Sequence, residues 1–289
     1  AKTLILQAVA QQITNPNAKG SIIALQGPMG NGKTTLIKKG VSRAMKRPFA
    51  FIALGGATDS CFLDGHDFTY EGSQPGRIIS ILKECKAMDP IIYFDELDKI
   101  SDTPKGEEIA NLLCHLTDHS QNTQFHDKYF SGIDFDLSKA SFIFSFNNRS
   151  AVNPILLDRM NVIETKGFAT KDKLQIASKY LLPDICENIG FSQSDIVFTD
   201  EIITHIISHH TDEQGVRNLK RCLETIISKL NLLKIVQCQT DTSTKSEITD
   251  STTGTDTTSG PLIRLDTDTL TLASSKPLAL NETSTSANE

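Results

Sequence analysis

In the stretch ALQGPMGNGKTTLIKK, which begins at Ala24, a short apolar segment runs into a glycine-rich turn, and a lysine and two threonines open the segment that follows. Gly27, Gly32, Lys33 and Thr34 satisfy G-x-x-x-x-G-K-[ST]. In such a turn, glycines let backbone N–H groups point inward around phosphates, the lysine reaches the β- and γ-phosphates, and the hydroxyl serves Mg²⁺. The loop needs a strand before it and a helix after it, which commits the first part of the chain to an α/β fold. Gly27, Pro28, Met29, Gly30, Asn31, Gly32, Lys33, Thr34 and Thr35 form the expected nucleotide cradle.

Four apolar runs, SIIAL, PFAFIAL, PIIYF and SFIFSF, have the length of buried strands and alternate with stretches of helical potential. Runs that are continuously apolar indicate a parallel sheet covered on both faces. The expected fold class is therefore an α/β P-loop NTPase sheet domain over 1–167, followed by a small helical domain over 168–236. In the latter, TKDKLQIASKYLL, TDEIITHIISHH and GVRNLKRCLETIISKLNLLKIV show helical periodicity without strand runs. Thr170–Lys171–Asp172 and Thr199–Asp200–Glu201 offer N-cap chemistry at two helix starts. Leu4, Ile5, Ala8 and Val9 share one face of a first helix, which TNPNAKG ends. Residues 237–289 are expected to be a linker and a largely disordered tail. More than half of 237–260 is Ser or Thr, too polar to offset chain entropy, and PLIRLDTDTLTLA offers one short strand.

IIYFDELDK supplies the other half of a nucleotide site. Its apolar residues place Asp95 and Glu96 at the carboxyl end of a buried strand, where ligands of open α/β sheets collect. Asp95 is then a Mg²⁺ ligand acting through water, and Glu96 the group that orients and deprotonates an attacking water. A carboxylate in Glu96's place points to hydrolysis and not to binding alone. The net charge of −6 speaks against a nucleic-acid backbone as main partner. Six cysteines without a CxxC pair read as reduced thiols, and no apolar run has the length of a membrane span. An intracellular setting, cytoplasm or an organelle matrix, is the expectation.

Taken together, the P-loop, FDELDK, a strand ending in asparagine, LLDRM and GVRNL resemble the AAA+ ATPases. The wording of FIALGGATD, PGRII, VNPILLDRMNVIE, KLQIASKYLLP and GVRNLKR is similar to the ATPase module of the Lon proteases across about residues 1–236. The resemblance implies ATP and Mg²⁺ as ligands and a homo-oligomeric ring, usually a hexamer, that threads polypeptide through its centre. It implies a sensor role for Asn147, an arginine finger offered to a neighbouring subunit by Arg159, and a second sensor in Arg217. Tyr70 matches the aromatic pore residue that grips the polypeptide. Local alternatives remain: an ion pair of Arg159 with Asp158, pairing of Arg217 with Glu213, and strand-end capping by Asn147 and Asn148.

Two departures bear on function. Glu71 follows Tyr70 where the family carries a β-branched apolar residue, and Asp64 and Asp67 precede it, which implies a more acidic pore. The Ser–Lys peptidase motifs of the family are not found after Val236, so the chain reads as the ATPase part of a longer protease or as a relative without the peptidase, with a peptidase domain or partner outside this chain. The alternative is a nucleotide-gated assembly scaffold without unfoldase activity; a DNA-dependent motor is disfavoured by the acidic balance. His205, His209 and His210 are expected on a helix surface and in its core, and Cys114 with His115 makes no nucleophile pair.

Overall fold

The computed structural model describes residues 2–15, 19–57, 59–101, 103–191, 196–244 and 263–264. The chain divides into two units, Ala1–Gly167 and Phe168–Glu289. In the first, the strands are β1 Ile22–Gln26, β2 Phe49–Ala53, β3 Ile91–Asp95, β4 Phe125–His126, β5 Asp134–Phe135, β6 Ser141–Phe146 and β7 Asn161–Glu164. β2, β3, β6, β1 and β7 lie in that order in one sheet, all parallel.

The order explains which runs are continuously apolar. β6 is central, buried at every position, and Phe144 stacks on Phe94 of β3 with ring centroids 4.9 Å apart. β2 and β7 are edges, so PFAFIAL alternates buried and exposed residues instead of sinking throughout. β7 was not foreshadowed as a strand, because its four residues, NVIE, are polar at both ends and bury only Ile163. The β4–β5 hairpin, two residues on each side, has no run to read.

One face of the sheet packs on the first helix, Lys2–Thr14, and on the helix over residues 33–45, through Ile5, Ile23, Leu25, Ile37, Tyr93 and Ile143. The middle of that second helix, Leu36–Val41, is wound as π-helix. The other face carries the larger cluster, built from Arg77–Cys85 and Pro104–Thr117 over Ile92, Phe94, Phe142 and Phe144. A parallel sheet must be covered on both faces because its strands present apolar side chains to each.

The second unit packs a helical stretch over residues 170–189, the helix Asp200–His210 and the helix Arg217–Thr244 around Ile203, Ile206, Leu219, Leu223 and Ile227. Thr199 caps its helix by accepting from Ile202 N. At the other start the cap position is Ala169, which offers no side-chain oxygen. Thr170 is already helical, and the stabilisation comes from Asp172 Oδ2, 3.3 Å from Ala169 N.

Two expectations need correction here. The last helix runs to Thr244, eight residues past Val236 and into the stretch read as linker. Extending an existing helix costs far less than nucleating one, and no glycine or proline interrupts residues 217–244. Ile196–Val197 also forms a two-residue strand beside Ile263–Arg264, so this unit is not strandless. Residues 245–262 and 265–289 lie outside the described residues. Cys61, Cys85, Cys114, Cys186 and Cys222 are free thiols.

Candidate nucleotide site

The strand order places β6 between β1 and β3, so Asn147, directly after β6, stands between the loop that follows β1 and the acidic pair that ends β3. Lys33 closes that loop on itself. Its Nζ donates to Gly27 O at 2.7 Å, Pro28 O at 3.0 Å and Asn147 Oδ1 at 2.9 Å. Burial pulls the Lys33 ammonium below the ordinary lysine range, and the charges of Asp95 and Asp98 oppose that shift. The capping alternative divides between the two asparagines: Asn148 caps the turn Arg149–Ala151 through Ser150 N, while Asn147 faces the lysine.

Glycine is needed in the loop for two different reasons. Gly32 has φ +81°, a left-handed conformation that costs a side-chain-bearing residue about 1–2 kcal/mol. At Gly27 a Cβ would lie 2.1 Å from Thr165 Oγ1, so the constraint is space. Thr165, just past β7, accepts from Asn31 Nδ2 at 2.7 Å and donates to Gln26 O at 2.8 Å, which ties the far side of the loop to the sheet. Asn31 thus has a structural partner that no motif would suggest.

Thr34 Oγ1 lies 3.2 Å from the hydroxyl of Tyr93, and Ser145 donates to Asp95 Oδ1. Asp98, 8% exposed, accepts the backbone N–H groups of Asn147 at 3.3 Å and Asn148 at 3.1 Å through Oδ2, while its Oδ1 is buried without a hydrogen-bond partner. Asp98 sits inside the FDELDK motif, yet nothing in the spacing separates it from a solvated acid; only the pairing of β3 with β6 brings it beneath Asn147. Glu96 is exposed and left-handed, φ 60°, and its Oε2 lies over Gly55, where a Cβ would come within 2.3 Å.

The donor set fits the phosphates and cation of a nucleotide. A half-buried ammonium and a glycine loop stand at the start of the helix over residues 33–45, where helix N–H groups favour anions. A hydroxyl and a carboxylate suited to a hard divalent cation, Thr34 and Asp95, stand at the same end of the sheet.

Arg159 is elsewhere. It precedes β7, donates to Cys114 O at 2.7 Å and pairs with Asp118 at 3.1 Å, not with Asp158. With Lys19 and His119 it lines a cavity of about 590 Å³ at the amino ends of β1 and β7, opposite the end that carries the loop. Arg217, in the second unit, is exposed at the first turn of its helix. Glu213 does not pair with it: its carboxylate accepts from Leu219 N at 2.9 Å and its carbonyl from buried Lys173.

The segment carrying Tyr70 is a local turn. Tyr70 is 72% and Phe68 61% exposed, so two aromatic residues stand out where one was singled out. Ser73 Oγ donates to the carbonyls of Asp67 and Tyr70, and Asp67 Oδ1 accepts from Thr69 N and Oγ1. The expectation that Asp64 acidifies this loop is corrected. Asp64 is buried and paired with Lys128 at 2.9 Å, and its neighbour Asp127 accepts from Gly76 N at 2.8 Å, so these acids fasten the loop's base. Glu71 remains exposed beside Tyr70. His205 stacks on His209 with centroids 4.3 Å apart, and among the described residues no cluster of three or more His, Cys, Asp and Glu side chains is placed to hold a metal.

The model of the ATPase family associated with various cellular activities (AAA) matches residues 23–168, and that of the Lon protease AAA+ ATPase lid domain matches 187–243. The chain is 41% identical over 233 residues to a Lon protease homolog of Acanthamoeba polyphaga mimivirus, covering 80% of this chain and 23% of that protein. It is 41% identical over 229 residues to a Lon protease of Clostridioides difficile, covering 79% and 29% respectively. A Lon protease 1 of Syntrophobacter fumaroxidans is 40% identical over 229 residues, covering 79% and 28%. The chain spans less than a third of the length of these relatives.

Proposed function

From the premise that this chain belongs to the AAA ATPase family, as a Lon-family AAA+ module, we propose that it hydrolyses ATP with Mg²⁺ and uses the cycle to unfold or translocate polypeptide. Residues 1–167 bind the nucleotide, and the helical unit that follows, whose last helix runs to Thr244, acts as a lid that carries Arg217 to it. The Gly27–Thr35 loop wraps the phosphates and Lys33 neutralises them. Thr34 and Asp95 hold the cation, which when bound offsets charge developing on the phosphoryl oxygens. Glu96 takes the proton of the attacking water, and Asn147, already bound to Lys33, positions that water against the phosphate.

One observation carries the reading: Lys33 and Asn147 are joined at one end of the sheet, while Arg159 stands at the other. An arginine at the amino ends of the strands does not serve the loop of its own subunit, and a ring, such as a hexamer, brings it to a neighbour's. Tyr70 and Phe68 then face the polypeptide. A peptidase, in the parent chain or in a partner, would receive the product, in a cytoplasm or organelle matrix that keeps the thiols reduced. A second reading, a nucleotide-gated scaffold, draws support from Glu71, whose exposed carboxylate sits beside the grip residue.

The test is the ATPase rate per subunit against protein concentration, for wild type and Arg159→Ala. A steep rise with concentration, lost in the variant by about 10³–10⁵-fold, is expected for a finger supplied between subunits. A substantial rate indifferent to both would overturn the ring mechanism. Stimulation by an unfolded protein separates the translocase from the scaffold.

A further inference from the structure

Arg217 opens the first turn of its helix and is exposed. A long side chain at a helix start is only as well placed as the turn that leads into it, here residues 211–216, which belong to no helix or strand. Three hydrogen bonds within the second unit hold that turn. Lys173, 6% exposed and set in the helix Thr170–Ile176, donates from Nζ to Glu213 O, 40 positions along the chain. Phe168 N donates to Gln214 O at 2.9 Å. The Glu213 carboxylate accepts from Leu219 N at 2.9 Å, and Leu219 itself lies in the core of the unit. The first N–H groups of a helix have no partner within it, and a carboxylate that takes one also suits the positive end of the helix dipole.

Lys173 is the unusual member of this set. Burying an ammonium is costly unless it is bonded, and buried lysines are ordinarily paired with a carboxylate. This one is bonded to a main-chain carbonyl and forms no ion pair among the described residues. Such a contact fixes the path of the chain and not the balance of charge. Glu213 is thereby held twice, at its carbonyl by Lys173 and at its carboxylate by the helix that Arg217 begins. We propose that Lys173 and Glu213 are positioning residues that set where the second unit presents the Arg217 guanidinium. The inference rests on the reading of Arg217 as the residue that the lid carries to the nucleotide. Neither residue touches the nucleotide in this account; both act through Arg217.

The test uses the full chain and reads two quantities, kcat/KM for ATP and the affinity for AMP-PNP with Mg²⁺, the latter by displacement of a fluorescent ADP analogue. Lys173→Met keeps the length of the buried side chain and removes the donor. Glu213→Ala removes the acceptor for Leu219 N, and Glu213→Gln keeps one. A displaced group at a reacting centre can cost about 10²-fold, so Lys173→Met and Glu213→Ala should each lower kcat/KM by roughly 10–100-fold, with AMP-PNP affinity falling alongside. Glu213→Gln should recover most of the loss. The decisive reading is coupling: in an Arg217→Ala background, Lys173→Met should cost little more, because the residue it positions is gone. Full additivity with Arg217→Ala overturns the proposal and leaves these bonds as stabilisation of the lid. Wild-type values in both Lys173→Met and Glu213→Ala overturn it too, as does a Glu213→Gln variant as damaged as Glu213→Ala. Should Lys173→Met fail to fold, the same cycle is run with Glu213→Ala, whose side chain is only half-buried. Arg217→Ala by itself separates the two levels. If it leaves both quantities at wild-type values, the assignment of Arg217 fails; if it lowers them while Lys173→Met and Glu213→Ala do not, only the positioning fails.

Discussion

At the carboxyl ends of β1, β3 and β6 the polar side chains are bound to one another across long stretches of chain, whereas at the amino ends of β1 and β7 Lys19, His119 and Arg159 stand along an open cavity. Lys33 reaches Asn147 across 114 positions, and Asn31 reaches Thr165 across 134. Arg159 has a single anchor region, the end of the helix Pro104–Thr117 and Asp118, and stays one-third exposed. The first end is a site assembled within one chain. The second is a surface that presents a cation outward. A ring mechanism needs both kinds of construction, since the group that completes hydrolysis must be released to a neighbour while the rest stays fixed.

The largest effect that could break this comparison comes from mixing two inactive variants. Lys33→Ala loses its own cradle but keeps Arg159, and Arg159→Ala keeps the cradle but offers no finger. Each alone should fall in ATPase rate by about 10³-fold or more. Mixed in equal amounts, they should recover to about a quarter of the wild-type rate, since half of the sites keep the cradle and half of those meet an intact arginine. A mixture no more active than its components would mean that the two ends do not meet between subunits.

A smaller effect sharpens the picture of the assembled end. Asn147→Ala removes a hydrogen bond to a charged partner, of the kind that contributes about 1.5–3 kcal/mol, so kcat/KM should fall by roughly 10–150-fold. Asp98→Asn keeps an oxygen for the N–H groups of Asn147 and Asn148 but removes the charge near Lys33. Its effect should be roughly tenfold or less, and present in kcat more than in nucleotide affinity. An Asp98→Asn variant as damaged as Asn147→Ala would mean that the buried carboxylate acts on the nucleotide and not through the asparagine.

Much of this site was legible in the sequence, for identifiable reasons. The P-loop and the acidic pair are contiguous in the chain, and continuous apolar runs mark the buried strands that carry them. What escaped was long-range or edge-dependent. Thr165, Tyr93 and Asp98 acquire their partners only through strand order, which no local pattern encodes. β7 was missed because an edge strand needs few apolar residues, and the last helix outran its expected end because composition rich in Ser and Thr is not a stop signal. Asp64 illustrates the reverse error: its place beside an aromatic loop suggested an exposed acid, while Lys128, 64 positions away, draws it inward.

The smallest effect is a pH dependence that should appear at one end of the sheet and not the other. Burial lowers the pKa of Lys33 from the ordinary 10.5 despite the nearby charges of Asp95 and Asp98. Between the lowered value and 10.5 the unfolded chain therefore binds more protons at this position than the folded one, and Lys33's contribution to stability rises with pH across that window. Below the lowered value the cost of burying the ammonium is present in full. Phosphates favour the ammonium, so nucleotide binding should draw in a proton in the same window and weaken as pH rises through it. Calorimetry of nucleotide binding at alkaline pH, in two buffers of different ionisation enthalpy, reads that proton directly, and Lys33→Met should abolish both it and any residual tight binding. Arg159→Met should leave the uptake unchanged, because Arg159 stands at the other end of the sheet, away from the loop. Equal proton uptake in wild type and a Lys33→Met variant that still binds would mean that the titrating group lies elsewhere and that the lysine's burial does not govern the loop.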